Sequence, residues 1–352
     1  MTDYFFISSP LHFCLAANFA LQSPAHRSVA LIMTRDKVVA DIYAAAIGKH
    51  PEIFASVTSL AGMDKSGVSS LLRKIFSEPG KMRIFTGNDR RYEFQYAMQI
   101  ATQAGAQVEG IYLDDGAVSY VGHKSINKIS HRYIDPLLKK LSCGWWWKNS
   151  LTTGASAWID SAYVAFPDAV HPLLRDKKLH RIDATGFRAD SYVALTSELV
   201  ADSAQLRKKL SGVRVVLTLP HEAGFLQKQQ DYVRIGKMLA DCFQCGEIAV
   251  KAHPRAQDQA SVEGCFPGAL LLDRRIGMEF LLPFLQDDCL VLGDISTALL
   301  TSKWLRPDLA VVALKIFGEL SEALLTLYDK LQVEITDIAM LPERLERLDE
   351  FH

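Results

Sequence analysis

Gly110–Gly116 reads GIYLDDG, and this short stretch sets the architecture. Ile111, Tyr112 and Leu113 form an apolar run with strand character. The run stops at two adjacent carboxylates, Asp114 and Asp115. Gly116 follows, and glycine turns sharply because it tolerates positive φ. In an open α/β sheet, ligands are held at the carboxyl ends of strands. Two acids there, one turned toward a crevice and one toward the loop, suit a general base and its positioner. A plain polar turn would carry the same letters, so the motif needs a partner elsewhere.

Around the motif, strands and helices alternate. Apolar runs at Tyr4–Ser8, Ser28–Thr34, Val57–Leu60 and Met82–Thr86 precede it, with helical patterns at Leu11–Leu21, Lys37–Gly48, Val68–Phe76 and Glu93–Gly105 between them. Such alternation implies βαβ units and a mostly parallel sheet. Residues 117 to 200 are less regular. They suggest a hairpin arm at Val118–His123, a basic helix at Ile134–Leu141, and strands at Tyr163–Phe166 and Ser191–Leu195. A second α/β pattern starts with the strand Val213–Leu217 and the helix Gln227–Phe243. It runs on through strands Glu247–Ala252 and Ala269–Leu272, helix Met278–Leu285, strand Cys289–Leu292 and helix Thr297–Trp304. Strand Leu309–Leu314 and helices Leu320–Leu331 and Leu341–Asp349 complete it. The expected architecture is α/β: two Rossmann-like domains, 1–200 and 201–352, with a crevice between them.

Composition narrows the function. The chain has 352 residues, too many for one ordinary core. Lys plus Arg number 39 against 40 for Asp plus Glu, so no basic field draws in nucleic acid. No apolar run reaches the length of a membrane span. The first 21 residues lack a basic start and read as a buried strand and a helix, not a signal peptide. Six scattered cysteines fit reduced thiols and a cytoplasmic setting. Cys242 and Cys245 form CxxC inside a helical pattern with no second ligand pair, which favours a structural role.

The partner for the acidic pair is Lys251–Arg255, KAHPR. Pro254 biases the residue before it toward an extended conformation, so His253 is held stiffly at a strand end between Lys251 and Arg255. A histidine so placed can hydrogen-bond or protonate a phosphate oxygen. A third site follows Cys289–Leu292, where Ser296 or Thr297 caps an apolar helix and leaves backbone N–H groups for an anion.

Asp-Asp-Gly, His-Pro and Ser-Thr, in that order, resemble the pattern of bacterial GT-B sialyltransferases. These are the families that include lipooligosaccharide sialyltransferases and capsular polysialyltransferases. DDGAVSYVG extends the likeness, and GMEFLL (Gly277–Leu282) sets Glu279 where relatives carry a ribose-binding acid. The resemblance implies a cytoplasmic enzyme, peripheral on the inner membrane at most. It implies transfer of a nonulosonic acid from a CMP-sugar to a hydroxyl of a cell-surface glycan, inverting, with no metal or cofactor. It makes Asp114 the general base, with Asp115 the second choice, and His253 the group that hydrogen-bonds or protonates the leaving phosphate. It sets Ser296 and Thr297 on that phosphate, Glu279 on the ribose, Lys251 and Pro254 beside them, and Pro220 and His221 near the nucleotide.

His12, Asn88 and Arg90, on loops after first-half strands, are candidates for acceptor binding. HRYIDPLLKKLSCGWWWKN (131–149) mixes bases with three tryptophans. Packing under the connector is the favoured reading. Contact with a membrane surface, where lipid-linked acceptors lie, is the other. Two other functions fit the same fold. One is a transferase for CMP-Kdo, CMP-pseudaminic acid or a nucleoside-diphosphate sugar, although GxGxxG is absent. The other is a non-catalytic nucleotide-binding protein.

Overall fold

A computed structural model describes residues 1–123, 134–200, 202–254, 256–317 and 322–349, with 347–349 described by backbone alone. Arg255, the first three residues of the tryptophan-rich stretch and the start of the helix expected at Leu320–Leu331 lie outside these. The chain divides into two compact units, Met1–Leu199 and Val200–His352.

The first unit carries β1 (Thr2–Ile7), β2 (Arg27–Ile32), β3 (Ser56–Ser59), β4 (Lys81–Thr86), β5 (Gln107–Leu113), β6 (Ser161–Val164) and β7 (Lys178–Arg181). They form one sheet in the order β3-β2-β1-β4-β5-β6-β7, every pair parallel. The second unit carries β8 (Val215–Thr218), β9 (Ile248–Lys251), β10 (Leu270–Leu272), β11 (Leu290–Asp294), β12 (Ala310–Leu314) and β13 (Glu334–Thr336). Their order is β10-β9-β8-β11-β12-β13, again all parallel. The strands read as continuous apolar runs because helices cover both sides of a parallel sheet. Phe5, Phe6, Ile84, Phe85 and Ile111 fill the first core; Val215, Leu217, Val250 and Leu292 fill the second.

In each sheet the chain leaves the centre in one direction and later returns on the other. The reversal falls between β1 and β4, and between β8 and β11. Ligand crevices form at such reversals, outside the carboxyl ends of the strands. The β1–β4 pair is clamped at its other end. Asp3 and Arg83 are partners in register, and the Arg83 Nε–H donates to Asp3 Oδ1 at 2.8 Å.

Two expectations change. Val118–Val121 is one helical turn, not a hairpin arm, since Ser119 and Tyr120 turn inward. Ser191–Leu195 lies in the helix Asp190–Ser197, where Tyr192, Leu195 and Thr196 bury one side at helical spacing. The β-like letters there are overridden by packing. Two strands, β7 (KLHR) and β13 (EIT), carry no apolar run to mark them, because edge strands carry polar residues.

Two substitutions probe this framework. A Cβ on Gly110 would come within 1.8 Å of the Trp158 carbonyl oxygen. Gly110→Ala therefore destabilises the first unit by about 1–3 kcal/mol, read by urea unfolding. Lys251 ends β9 buried, and burial lowers its amine to about 8. Between that value and its ordinary 10.5 the unfolded chain binds more protons than the folded one, so stability rises with pH across that window. The unfolding free energy of wild type relative to Lys251→Met gains about 2 kcal/mol over the same window.

Candidate functional site

At the carboxyl end of β5 the two acids have separate surroundings. Asp114 is 2% exposed. Its Oδ1 accepts from the Gly116 N–H at 2.8 Å and the Ser119 hydroxyl at 2.9 Å. Its Oδ2 accepts from the Ala165 N–H at 2.9 Å and from the Tyr120 hydroxyl. Those four donors occupy all four lone-pair directions of a carboxylate. Burial nonetheless outweighs the donors and holds the Asp114 carboxyl above its ordinary range. Burial and Asp114 together push the Tyr120 phenol well up, so it remains a donor.

Ser119 extends the arrangement. Its one proton goes to Asp114, so its oxygen accepts from the Asp115 N–H at 2.9 Å and from the Tyr112 hydroxyl at 2.8 Å. Gly116, at φ +67°, makes the turn that its sequence position requires. The Asp115 side chain, 27% exposed, lies with Oδ1 3.1 Å from His12 Nε2, too far off line to count as a hydrogen bond.

His12 is placed by the β1 turn. Ser9 caps the helix Pro10–Gln22 and accepts from the His12 N–H. On the ring, Nδ1 pairs with the Ser8 hydroxyl at 2.9 Å. The ring also needs Gly87, after β4, where a Cβ would come within 1.7 Å of Nε2. His12, Gly87 and Asp115 thus gather at the chain reversal of the first sheet. Asn88 is partly spent on its own loop, its Oδ1 accepting from the Arg90 N–H at 3.1 Å. Arg90 is half-buried, and burial lowers its guanidinium.

Some of these roles left no sequence signal of their own. Asp89, fully buried, accepts from the Gly154 and Ser156 N–H groups at 2.9 and 2.7 Å and fixes the 150s segment against the β4 loop. His171, before Pro172, packs beside the acidic turn. Its N–H donates to the Ser119 carbonyl, and its ring fills the space left by Gly122. Gly116, Ser119 and Tyr120, three of the four donors to Asp114, lie within DDGAVSYVG, and Ala165 lies outside it.

In the second unit every residue proposed for the donor ends a strand, follows its carboxyl end or belongs to the next segment, Lys251 being the last residue of β9. Pro220 and His221 follow β8, His253 and Pro254 follow β9, Glu279 follows β10, and Ser296 and Thr297 follow β11. His221 Nδ1 accepts from the Gly224 N–H at 3.1 Å and so caps the helix Glu222–Gln227. Partly buried His253 accepts the Ala256 N–H at its carbonyl. Lys251 Nζ donates to the Ala252 and Arg274 carbonyls at 2.8 and 3.1 Å, with the fields of Glu279 and Asp273 favouring its charge. Beside these lies a cavity of about 400 Å³, lined among others by Ala252, Ala256, Gln257, Asp258, Leu272 and Arg274. Glu222 holds its rim by accepting from the Gln257 and Asp258 N–H groups.

Ser296 caps the helix Thr297–Leu305 with its hydroxyl, and Tyr328 both donates to its carbonyl and accepts from its N–H. Asp294, at the end of β11, is pushed up to about 6 by burial. Gly293 before it is obligatory, since a Cβ would come within 2.1 Å of Thr218 Oγ1. All six cysteines are unbridged, and Cys245 contacts only the Pro267 carbonyl through its sulfur among the bonds described. Among the described residues no helix is long and apolar enough to cross a membrane.

No protein-family model and no curated protein sequence matches the chain. Solved structures do. An α/β-galactoside α-2,3-sialyltransferase from the luminous marine bacterium Photobacterium phosphoreum is 13% identical, over 97% of this chain and 98% of that one, with a TM-score of 0.61. A UDP-GlcNAc 2-epimerase from Neisseria meningitidis, bound to UDP-GlcNAc, is 9% identical over 100% and 92%, with a TM-score of 0.58. MnaA of S. aureus with UDP is 12% identical over 99% and 90%, with a TM-score of 0.52. With two all-parallel Rossmann-type sheets in one chain, the fold is GT-B.

Proposed function

We propose that this chain is a glycosyltransferase that moves a nonulosonic acid from a CMP-sugar to a hydroxyl of a cell-surface glycan. The observation that carries the reading is the division between the two acids. Asp114 is spent on holding the turn, and Asp115 is left open beside a buried histidine at the chain reversal. The sequence ranks Asp114 first as base; the burial of Asp114 and the exposure of Asp115 support Asp115 for that role instead. Asp115 takes the proton from the acceptor hydroxyl as its oxygen attacks the anomeric carbon. The bond from that carbon to the phosphate breaks, and the electron pair leaves with CMP. His12 orients Asp115, and Asn88 and Arg90 line the acceptor side.

Donor capture falls to the second unit. His253 hydrogen-bonds or protonates the departing phosphate, and the N–H groups of the helix at Thr297 stabilise its charge. The cavity beside His253 takes the nucleoside, with Glu279 on the ribose. The reaction so written asks nothing of a metal.

The likeness to a UDP-GlcNAc 2-epimerase favours a second reading, a UDP-sugar in the same cavity. Thermal shift with CMP and UDP separates them, because a ligand specific to the folded state raises the melting temperature. Saturating CMP gives a rise of about 3 °C or more and UDP gives none. A rise with UDP alone overturns the CMP reading.

The acid assignment has its own test. Asp115→Ala lowers kcat about 10²–10⁴-fold and leaves CMP affinity unchanged. Asp114→Ala leaves four donors without an acceptor and destabilises the first unit by about 3 kcal/mol or more. Full turnover in Asp115→Ala refutes the base.

A further inference from the structure

The helix Asp135–Cys143 is turned inside out. Ile134, Leu137, Leu138 and Leu141 have the i, i+3, i+4, i+7 spacing that lines one side of a helix. Each is between 52% and 69% exposed. The partly buried residues are Pro136, Lys140 and Cys143, on the other side. A surface helix ordinarily turns its apolar stripe to the core; here no residue of the helix is buried. Trp145, just beyond it, is 74% exposed. Four adjacent large side chains and an indole make a patch of the kind that marks an interaction site.

The chain just after the helix fixes the stripe outward. Of the three tryptophans, Trp147 is buried, and Trp146 packs its ring against Tyr92 and Tyr96, with centroids 6.2 and 5.7 Å apart. The Lys148 N–H donates to Gln95 Oε1 at 2.9 Å, and Gln95 Nε2 returns a bond to the Lys148 carbonyl at 2.8 Å. Gly144, at φ +118°, turns the chain where a Cβ would come within 2.6 Å of the Trp146 indole nitrogen. Lys65 Nζ donates to the Ser142 carbonyl at 3.1 Å. Rolling the helix inward would break these contacts.

Charge identifies the occupant. Lys65, Lys139, Lys140 and Lys148 border the patch, and Asp135, the helix's one acid, lies in the field of Arg90. Lys140 Nζ sits 5.7 Å from the centre of the Trp145 ring. Two copies meeting through this stripe would set their own cations against each other. An anionic bilayer answers both the apolar stripe and its basic border.

We propose that Ile134, Leu137, Leu138, Leu141 and Trp145 dock the first unit on an anionic lipid bilayer. The apolar side chains enter the boundary between headgroups and acyl chains, and Lys139 and Lys140 reach the phosphates. At roughly 14 Å the helix lies in the interface and does not span it. Docking of this kind is independent of the proposed activity.

The test is co-sedimentation of the full chain with vesicles of equal parts phosphatidylglycerol and phosphatidylcholine, against vesicles of phosphatidylcholine alone. Wild type binds the anionic vesicles, and its tryptophan emission shifts to the blue. Leu138→Ser with Leu141→Ser and Trp145→Ser weakens binding at least about tenfold. Trp145→Phe, a milder change, keeps binding and removes most of the emission shift. Binding that the triple variant leaves unchanged, or no binding by wild type, overturns the proposal. So does a dimer in sedimentation velocity that the triple variant dissociates, without vesicle binding, because the occupant is then a second copy.

Discussion

A carboxylate is tolerated inside a protein only when donors fill its lone pairs, and Asp114 is given four. Two come from backbone, Gly116 and Ala165, and two from the hydroxyls of Ser119 and Tyr120. The same hydrogen bonds that satisfy the acid also tie the end of β5 to the chain leaving β6 and fold the DDG turn back on the sheet. Ser119 then accepts from the Asp115 N–H, so the second acid is aimed by the first. What remains free for a ligand at this edge is set by what Asp114 has already consumed.

The two units place their polar residues by one rule. Parallel strands run their carboxyl ends to the same edge, and the chain reverses beside the central strand. At that reversal the first sheet brings Ser8–His12, Gly87 and Asp115 together. In the second, the β8 turn and the Ser296 cap flank the corresponding reversal, and His253 stands one strand away. Glycines make this possible at two points. Gly87 gives His12 its room, and Gly293 lets Thr218 lie against β11.

Much of this was legible in the letters. The apolar runs marked the parallel strands because burial on both sides demands them. Pro10 after Ser9, Pro254 after His253 and Ser296 before an apolar helix each state a local conformation. The different surroundings of Asp114 and Asp115 were not legible, because the bond that closes over Asp114 comes from Ala165, which long-range folding delivers. Asp89 was hidden for the same reason, since its donors Gly154 and Ser156 lie far along the chain. Three consecutive tryptophans carry no sign of their different fates: Trp146 and Trp147 pack and Trp145 does not. β7 and β13 were missed because edge strands dispense with the apolar signal.

The Asp114 carboxyl holds this edge together, while Asp115 is aimed by it and gives it no support in return. Amide hydrogen exchange at Gly116 and Ala165 reads this directly, since both N–H groups donate to Asp114. In Asp114→Asn both amides exchange faster than in wild type, whereas in Asp115→Asn they stay as protected as in wild type. Equal protection in the two variants, or loss of protection in Asp115→Asn alone, contradicts this division between the two acids.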